Sequence, residues 1–450
     1  MNYKLNMHVV KLLFVILSLF SIQVYAQSVT LKVGLYPYVP RIEQFQTAIA
    51  AQWKAVEPNV NLDFNTSWDG GYDAPPPADL DVFVFDAIMF ENFRANGYLE
   101  AMKPDEISNL DDFVDYAIKG VESDGKYYAI PQLGCTNILF YKKDDKKIAD
   151  SKSIEELQSE LNSCRYTSQI PPDVRGLMLD MKGSTTNATY YLDIAHSSND
   201  KYPLPLPSAD ELNQSIIQSM RSLLTMASFE NATKDPTIDY GRADWFSDGY
   251  GRALVGFTES MSAMSESTRA NIDFKPLPMY DNDNVPMFYA DVISVNSQSK
   301  NRDLAVKLAN VMASAQTMIA SIGSDGTNKY PQYLMATRPS VFKSIGKDFP
   351  IYNDMFEMLQ KSNPIMYKMP ANSREWLDNT KNTIRSDVQS DYKCGCDQTS
   401  NVFIVDNSAA KEICTKTCST NGGWNGQWTN QQPASPIGTS VCGCNVCPAQ

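Results

Sequence analysis

The chain has 450 residues and a formal net charge of −13, from 39 Lys and Arg against 52 Asp and Glu. So acidic a protein is a poor ligand for nucleic acid, and no nucleic-acid partner is expected. The sequence has 2 histidines. His8 lies in a segment predicted to be removed, and His196 lies in a polar stretch that favours a surface position, so mechanisms that need two histidines are excluded.

Residues 1–26 have the features of a secretory signal peptide. Lys4 and Lys11 supply positive charge, VVKLLFVILSLFSI is a short apolar run, and Ala26 is a small residue suited to cleavage. A membrane anchor is the less favoured interpretation, because this run is short for a bilayer and no second run of about 20 apolar residues follows. We expect a secreted protein with no stable membrane anchor.

Strand-like and helix-like segments alternate after the signal peptide. Strands are predicted over 30–36, 60–64, 80–86 and 288–296, and helices over 41–56 and 301–315. A body of roughly 360 residues exceeds one comfortable core, which predicts two α/β lobes. Because the ends of strands line the cleft between such lobes, a ligand site is expected there.

The composition changes near residue 387. Residues 387–450 are rich in Cys, Gly, Asn and Thr and predict a small disulfide-dependent module, separate from a main domain over 27–386. The cysteines of this tail are Cys394, Cys396, Cys414, Cys418, Cys442, Cys444 and Cys447. The total of 9 cysteines is odd, so in an oxidising compartment one thiol is left over. We expect Cys135 to be free and Cys164 to be oxidised with the tail cysteines; a zinc site is less favoured.

Cys135 lies in the motif PQLGCTN. An unpaired cysteine is readily explained as a small core residue, but a thiol kept in a secreted chain also fits a nucleophile. A nucleophile needs a base, and Glu259, which ends the apolar run ALVGFTE, is a carboxylate that burial could tune. An ordinary solvated carboxylate at a strand end is the alternative.

Aromatic and acidic side chains recur where predicted strands end. They are Tyr36, Tyr38, Trp68, Tyr72, Asp86, Tyr289 and Asp291. Aromatic faces and carboxylates together favour a flat, cationic organic ligand. Each aromatic residue considered alone also fits a place in the core.

Seven collinear motifs resemble the thiaminase I (thiamine pyridinylase) family across about residues 28–385. They are LKVGLYPYVPR, LDVFVFD, AIPQLGCTNILFY, GRALVGFTESM, MFYADVISVNS, KLANVMASA and KYPQYLMATR. The resemblance implies the two-lobed fold of type 2 periplasmic solute-binding proteins, with thiamine held as the substrate between the lobes and no cofactor. A non-catalytic solute-binding protein for thiamine or a related cationic heterocycle is the alternative.

The resemblance also implies roles for individual residues. Cys135 would attack C6 of the thiamine pyrimidine and Glu259 would act as acid and base, so that the thiazole leaves and an amine, pyridine-type base or thiol takes its place. The expected substrate-binding residues are Tyr36, Tyr38, Asp86, Tyr289 and Asp291, with Trp68 added from the aromatic group. Phe257 stands where the family has tyrosine, so one pocket hydroxyl is missing.

The tail resembles a second family. The stretches IVDNSAAKEICTKTC, GGWNGQWTN and GTSVCGC are similar to the small mannan-binding lectin module, in which a GQW motif lies in the sugar site. This resemblance implies binding of mannose-type glycans. A disulfide-stabilised cap without a ligand is the alternative.

Overall fold

The structure is a computed structural model that describes residues 29–161, 176–181, 183–197, 205–227, 240–279, 286–390, 397–430 and 438–444. The predicted signal peptide and four cysteines, Cys164, Cys394, Cys396 and Cys447, lie outside these ranges. Within them, no helix has the length and apolar character needed to cross a membrane.

The strands of the described residues fall in four sheets. In chain order they are β1 (Thr30–Gly34), β2 (Asn61–Asn65), β3 (Val82–Asp86), β4 (Glu122–Ser123), β5 (Lys126–Tyr127), β6 (Ile130–Cys135), β7 (Ile138–Lys142), β8 (Leu177–Met178), β9 (Ala253–Gly256), β10 (Ile272–Pro276), β11 (Met287–Val295), β12 (Met335–Ala336), β13 (Ile365–Met366), β14 (Asp397–Ser400), β15 (Trp424–Thr429) and β16 (Ser440–Cys444).

Helices cover the faces of these sheets. In chain order they are α1 (Ile42–Val56), α2 (Phe90–Ala95), α3 (Asp115–Gly120), α4 (Lys146–Asp150), α5 (Ile154–Leu161), α6 (Ser184–Ser197), α7 (Gln214–Met226), α8 (Gly241–Ser247), α9 (Glu266–Asn271), α10 (Arg302–Met312), α11 (Ala315–Ile322), α12 (Pro339–Ile345), α13 (Ile351–Ser362), α14 (Ser373–Ser390) and α15 (Asn407–Thr417). Short 3₁₀ helices include Ala87–Met89 and Thr258–Ala263.

The first lobe is built on a mixed sheet with the order β12-β6-β11-β3-β1-β2, to which β13 adds by pairing with β11. Every residue of β3 is buried. The sheet is mixed, because β3 pairs in parallel with β1 but antiparallel with β11. This mixed pairing brings the ends of β3 and β6 to the two sides of β11.

The second lobe is built on a sheet with the order β10-β7-β9-β8. Strand β6 of the first sheet continues into β7 of the second through residues 136 and 137, which we call the crossing segment. Thr136 donates a hydrogen bond from Oγ1 to the Met287 carbonyl oxygen at the start of β11, at 3.3 Å. The two lobes therefore join immediately beside Cys135.

The tail has a small core of its own. Strands β14, β16 and β15 form a three-stranded sheet, and α15 packs on it. Two disulfides, Cys414–Cys442 and Cys418–Cys444, tie α15 to β16. Their sulfurs lie in a hydrophobic cluster distinct from that of the two lobes.

Candidate active site

A cleft of about 830 Å³ lies between the two lobes. The first lobe contributes the ends of β1, β3 and β6 and the start of β11, and the second contributes β9, the following 3₁₀ helix, α6 and α8. The site residues predicted from sequence that line this cleft are Tyr36, Tyr38, Asp86, Cys135, Glu259, Tyr289 and Asp291. Residues separated by more than 250 positions thus meet at one place because their strands are neighbours.

Cys135 is the last residue of β6 and stands directly opposite Tyr289 of β11. Side chains opposite each other in an antiparallel pair share one face of the sheet, so the sulfur and the Tyr289 ring are neighbours at the cleft floor. The thiol is free and partly exposed. The prediction of a free Cys135 is therefore confirmed.

Strand β11 pairs with β6 along one edge and with β3 along the other. On the β3 edge, Asp291 is directly opposite Asp86, so the two form a carboxyl pair. Tyr72 donates its hydroxyl hydrogen to Asp86 Oδ2 at 2.6 Å, and the Tyr36 hydroxyl lies 3.0 Å from that of Tyr72. Because Tyr72 has only one hydroxyl hydrogen, Tyr36 must be the donor to Tyr72. These two hydrogen bonds fix the rings of Tyr36 and Tyr72 and the carboxyl group of Asp86 along the cleft wall.

Glu259 enters the cleft from the second lobe, on the 3₁₀ helix that follows β9. Its side chain is only 7% exposed. Burial raises the pKa of the Glu259 carboxyl to about 7, against hydrogen bonds that favour the charged form. A carboxyl group tuned in this way can both accept and donate a proton near neutral pH.

Burial raises the pKa of the Cys135 thiol well above its ordinary value, and the charges of Glu259, Asp291 and Asp86 raise it further. Among the described residues that line the cleft, four are acidic (Asp86, Asp180, Glu259 and Asp291) and one, Arg242, is basic. The Nη2 atom of Arg242 lies 3.5 Å from the Oδ1 atom of Asp180. The floor of the cleft is thus acidic, which suits a cationic ligand and favours the protonated form of the Cys135 thiol.

Trp68 does not line the cleft. Its ring is 6% exposed, packs edge-on against Phe83 with centroids 5.5 Å apart, and donates a hydrogen bond from Nε1 to the Ala74 carbonyl oxygen. Trp68 is therefore a core residue, and the expectation that it contacts the substrate is corrected. Tyr72, from the same SWDGGYD stretch, reaches the cleft instead.

Two further features were not anticipated from the sequence. Asn137 of the crossing segment lines the cleft, and the buried carboxylate of Asp193 on α6 lies behind it. His196 is 7% exposed, so the expected surface position was wrong; α6 is covered by α7 and α14. Phe257, whose missing hydroxyl was expected from the sequence, lines the cleft and is 40% exposed. No cluster of three or more His, Cys, Asp or Glu suited to a metal ion occurs in the described part of the chain.

Two family models match the chain. The Thiaminase-1 domain matches residues 136–280, and the Mannan-binding protein model matches residues 407–444. A curated relative, Thiaminase-1 of Paenibacillus thiaminolyticus, is 38% identical over 363 residues, which cover 80% of this chain and 88% of the relative.

Solved structures of thiaminase I also resemble this chain. Clostridium botulinum thiaminase I in complex with thiamin has a TM-score of 0.75 and 37% identity, covering 80% of this chain and 100% of that one. The ligand-free maltodextrin-binding protein MalE1 of L. casei BL23 is 15% identical with a TM-score of 0.54, over 81% of this chain and 94% of its own, and shares the fold alone. The predicted two-lobed solute-binding fold is confirmed. The chain is a member of the thiaminase-1 family, whose activity is that of a thiamine-degrading transferase.

Proposed function

We propose that this thiaminase cleaves thiamine through a covalent adduct on Cys135, with Glu259 as its acid and base. The observation that carries the proposal is the meeting of a free thiol and a buried carboxyl group with a pKa of about 7 in one acidic cleft. The charge of Glu259 raises the pKa of Cys135, which indicates that the two groups are close. A site that only bound thiamine would need neither group, so this pair favours the enzyme over the non-catalytic solute-binding protein.

The proposed reaction has two halves. In the first, the Cys135 thiol gives its proton to Glu259 and the sulfur adds to C6 of the pyrimidine, after which the bond from the methylene carbon to the thiazole nitrogen breaks. In the second, an amine, a pyridine-type base or a thiol bonds to the methylene carbon, and the Cys135 sulfur leaves C6. Glu259 can return the proton as the thiolate departs. One thiazole is released and one pyrimidinylmethyl group is transferred, with no net oxidation and no cofactor.

The charge of the substrate supports this assignment. Thiamine carries a positive thiazolium ring, and a cation placed among Asp86, Glu259 and Asp291 offsets the negative charges that raise the pKa of Cys135. Substrate binding would therefore make the thiol easier to deprotonate. The rings of Tyr36, Tyr38 and Tyr289 line the same cleft and can stack on flat cationic rings.

Thiamine loss in the presence of pyridine, followed by chromatography, tests this proposal. Wild-type protein should consume thiamine and release free thiazole. Cys135→Ser should abolish turnover while its thiamine Kd stays within about tenfold, because the serine oxygen lacks a strong base. Tight thiamine binding without any loss over many hours, across several amines and thiols, would favour the solute-binding alternative.

We also propose that the tail binds mannose-type glycans. The Mannan-binding protein match over residues 407–444 includes Gly426, Gln427 and Trp428 of the GQW motif. The Trp428 indole donates a hydrogen bond from Nε1 to Asn407 Oδ1 at 2.9 Å and is only partly buried, as suits a stacking platform for a sugar. Retention on mannan resin that Trp428→Ala abolishes would support the glycan-binding role. Failure of the wild-type protein to be retained would favour a cap without a ligand.

Secretion is proposed from the first 26 residues and receives support from the tail. The disulfides Cys414–Cys442 and Cys418–Cys444 are the kind of bond that persists in oxidising compartments. Protein recovered from the medium should begin near Gln27, as Edman sequencing would show. Recovery from cells of a chain that still begins at Met1 would contradict secretion.

A further inference from the structure

A buried carboxylate of the second lobe holds two groups at the lobe junction. Asp193, in the middle of α6, is only 1% exposed and is not among the described residues that line the cleft. Its Oδ2 atom accepts hydrogen bonds from the Tyr289 hydroxyl at 3.1 Å and from Asn137 Nδ2 at 3.2 Å. Asn137 Nδ2 also lies 3.4 Å from the Tyr289 hydroxyl oxygen, so the three side chains form a closed triangle.

This triangle joins elements of both lobes. Tyr289 belongs to β11 of the first lobe, Asp193 belongs to α6 of the second, and Asn137 lies in the crossing segment between them. The Asn137 carbonyl oxygen also accepts a hydrogen bond from the Leu277 amide at 2.7 Å. The position of Tyr289 is thus tied to the segment in which the chain passes from one lobe to the other.

Helix α6 holds the Tyr289 ring from a second direction. The ring of Tyr367 contacts that of Tyr289 with centroids 5.0 Å apart, and the Tyr367 hydroxyl lies 3.4 Å from the Thr189 carbonyl oxygen of α6. Since the hydroxyl of Tyr289 points to Asp193, what its ring presents to the cleft is an aromatic face or edge beside Cys135. A phenol that donates to a carboxylate has a more electron-rich ring, which strengthens its attraction for a cation.

We propose that Asp193 is a positioning residue for the thiamine reaction: it fixes the Tyr289 hydroxyl and the Asn137 amide across the lobe junction, so that the Tyr289 ring meets the cationic substrate beside the Cys135 sulfur. This inference rests on the proposed function of the cleft. Asp193 acts through Tyr289 and Asn137 and does not itself touch the substrate.

A double-mutant cycle between Asp193→Asn and Tyr289→Phe tests the proposal. At saturating pyridine, Asp193→Asn should lower kcat/KM for thiamine about tenfold, mainly through KM, because a hydrogen bond to a charged group is lost. Tyr289→Phe removes the same bond from its other end and should have a similar effect. In the Tyr289→Phe background, the further loss from Asp193→Asn should be less than about threefold.

Asp81→Asn is the matched control. Asp81, which directly precedes β3, is another buried carboxylate of the same domain. It accepts hydrogen bonds from the Lys32 amide and the Ser299 hydroxyl. Asp81→Asn should lower Tm and leave kcat/KM unchanged. A fall in Tm without a change in KM for Asp193→Asn would reduce Asp193 to a structural residue and overturn the proposal. Full additivity with Tyr289→Phe would also overturn it.

Two further measurements keep the test decisive. If Asp193→Asn does not fold, an unchanged thiamine KM in Tyr289→Phe overturns the proposal, since the phenol bond is then without effect. The Kd for thiamine in the Cys135→Ser background should follow the same pattern as KM. That binding readout does not depend on turnover, so failure of the positioning role is distinguishable from failure of the proposed chemistry.

Discussion

Asp86 and Asp291 lie directly opposite each other on adjacent antiparallel strands, with the cleft above them. Burial raises the pKa of the Asp86 carboxyl to about 6, and burial together with the charge of Asp86 raises the pKa of Asp291 well above its ordinary value. Two carboxyl groups so close do not both ionise readily without a nearby cation. A cationic ligand offsets the repulsion between the two carboxylates. This pair therefore gives the cleft a preference for a positively charged ligand.

Replacing Asp86 by asparagine should weaken thiamine binding about tenfold, because a charge-assisted contact of the cation is removed while the shape is retained. Isothermal titration calorimetry in the Cys135→Ser background measures this effect without turnover. A neutral aminopyrimidine fragment serves as the control ligand and should lose much less affinity. Equal losses for both ligands would show that Asp86→Asn distorts the cleft and does not act through charge.

The stability of the free protein should fall as the pH rises from 5 to 8. Asp86 and Glu259 have folded-state pKa values of about 6 and about 7, above the ordinary values of 3.8 and 4.5 for these carboxyl groups. Carboxyl groups with raised pKa values contribute stability that is fully present below their unfolded pKa and is lost as the pH rises through the folded pKa.

Thermal melts across this pH range measure the contribution. Glu259→Gln should flatten the decline between about pH 5 and 7, the interval between the unfolded and folded pKa values of this group, and saturating thiamine should raise Tm most at the upper end of the range, where the carboxylates are charged. A wild-type decline that is unchanged in Glu259→Gln would contradict the raised pKa of this group.

Glu259→Gln should lower kcat by a factor of about 10² to 10⁴, the usual contribution of a positioned acid or base, while the thiamine KM changes little. In the wild type, kcat/KM should rise as the pH increases through about 7, because only the ionised carboxylate can take the thiol proton. The variant should lack this rise. A variant that retained both its rate and its pH profile would show that another group is the base.

Removal of the tail after Ser390 should leave thiamine turnover within about twofold of the full chain. Helix α14 runs to Ser390, beyond the composition change near residue 387, and Arg221 of α7 donates two hydrogen bonds to the Asp387 carbonyl oxygen. Truncation at 386 would break this contact and is therefore the less suitable end. Loss of turnover in a well-folded protein ending at Ser390 would show that the tail contributes to the cleft.

The sequence predicted much of the site because residues at strand ends are easily recognised. Asp86 closes a buried apolar run, Cys135 follows a strand-like segment, and Tyr289 and Asp291 share one face of a strand by their spacing of two. That these strands are neighbours came from the family resemblance, because periodicity does not determine strand order. The mixed direction of the sheet was accordingly not predicted.

Trp68 and Tyr72 show where local pattern fails. Gly70 and Gly71, with φ of 74° and 99°, turn the chain between them, so Trp68 packs in the core while Tyr72 reaches the cleft. A side chain at Gly70 would collide with the Tyr36 ring, which leaves glycine as the residue that fits. Nothing in the pattern of the segment distinguishes the two aromatic residues.

Asp193 and His196 depended on tertiary contacts that the sequence does not encode locally. His196 lies in the polar stretch AHSSND, yet α6 lies against α7 and α14 and both side chains are buried. The partner of Asp193, Tyr289, is 96 residues away along the chain. The role proposed for this carboxylate therefore required the folded structure.

The most direct test of the account is the identity of the residue that carries the pyrimidine during turnover. Wild-type protein is mixed with thiamine without an added amine or thiol, quenched in acid, digested, and analysed by mass spectrometry, with Cys135→Ser as the control. The account predicts one pyrimidinylmethyl group on the peptide that contains PQLGCTNILFY, attached to Cys135, and none on the variant. A pyrimidine adduct on another residue, or an unmodified Cys135 in protein that has already released thiazole, would contradict it.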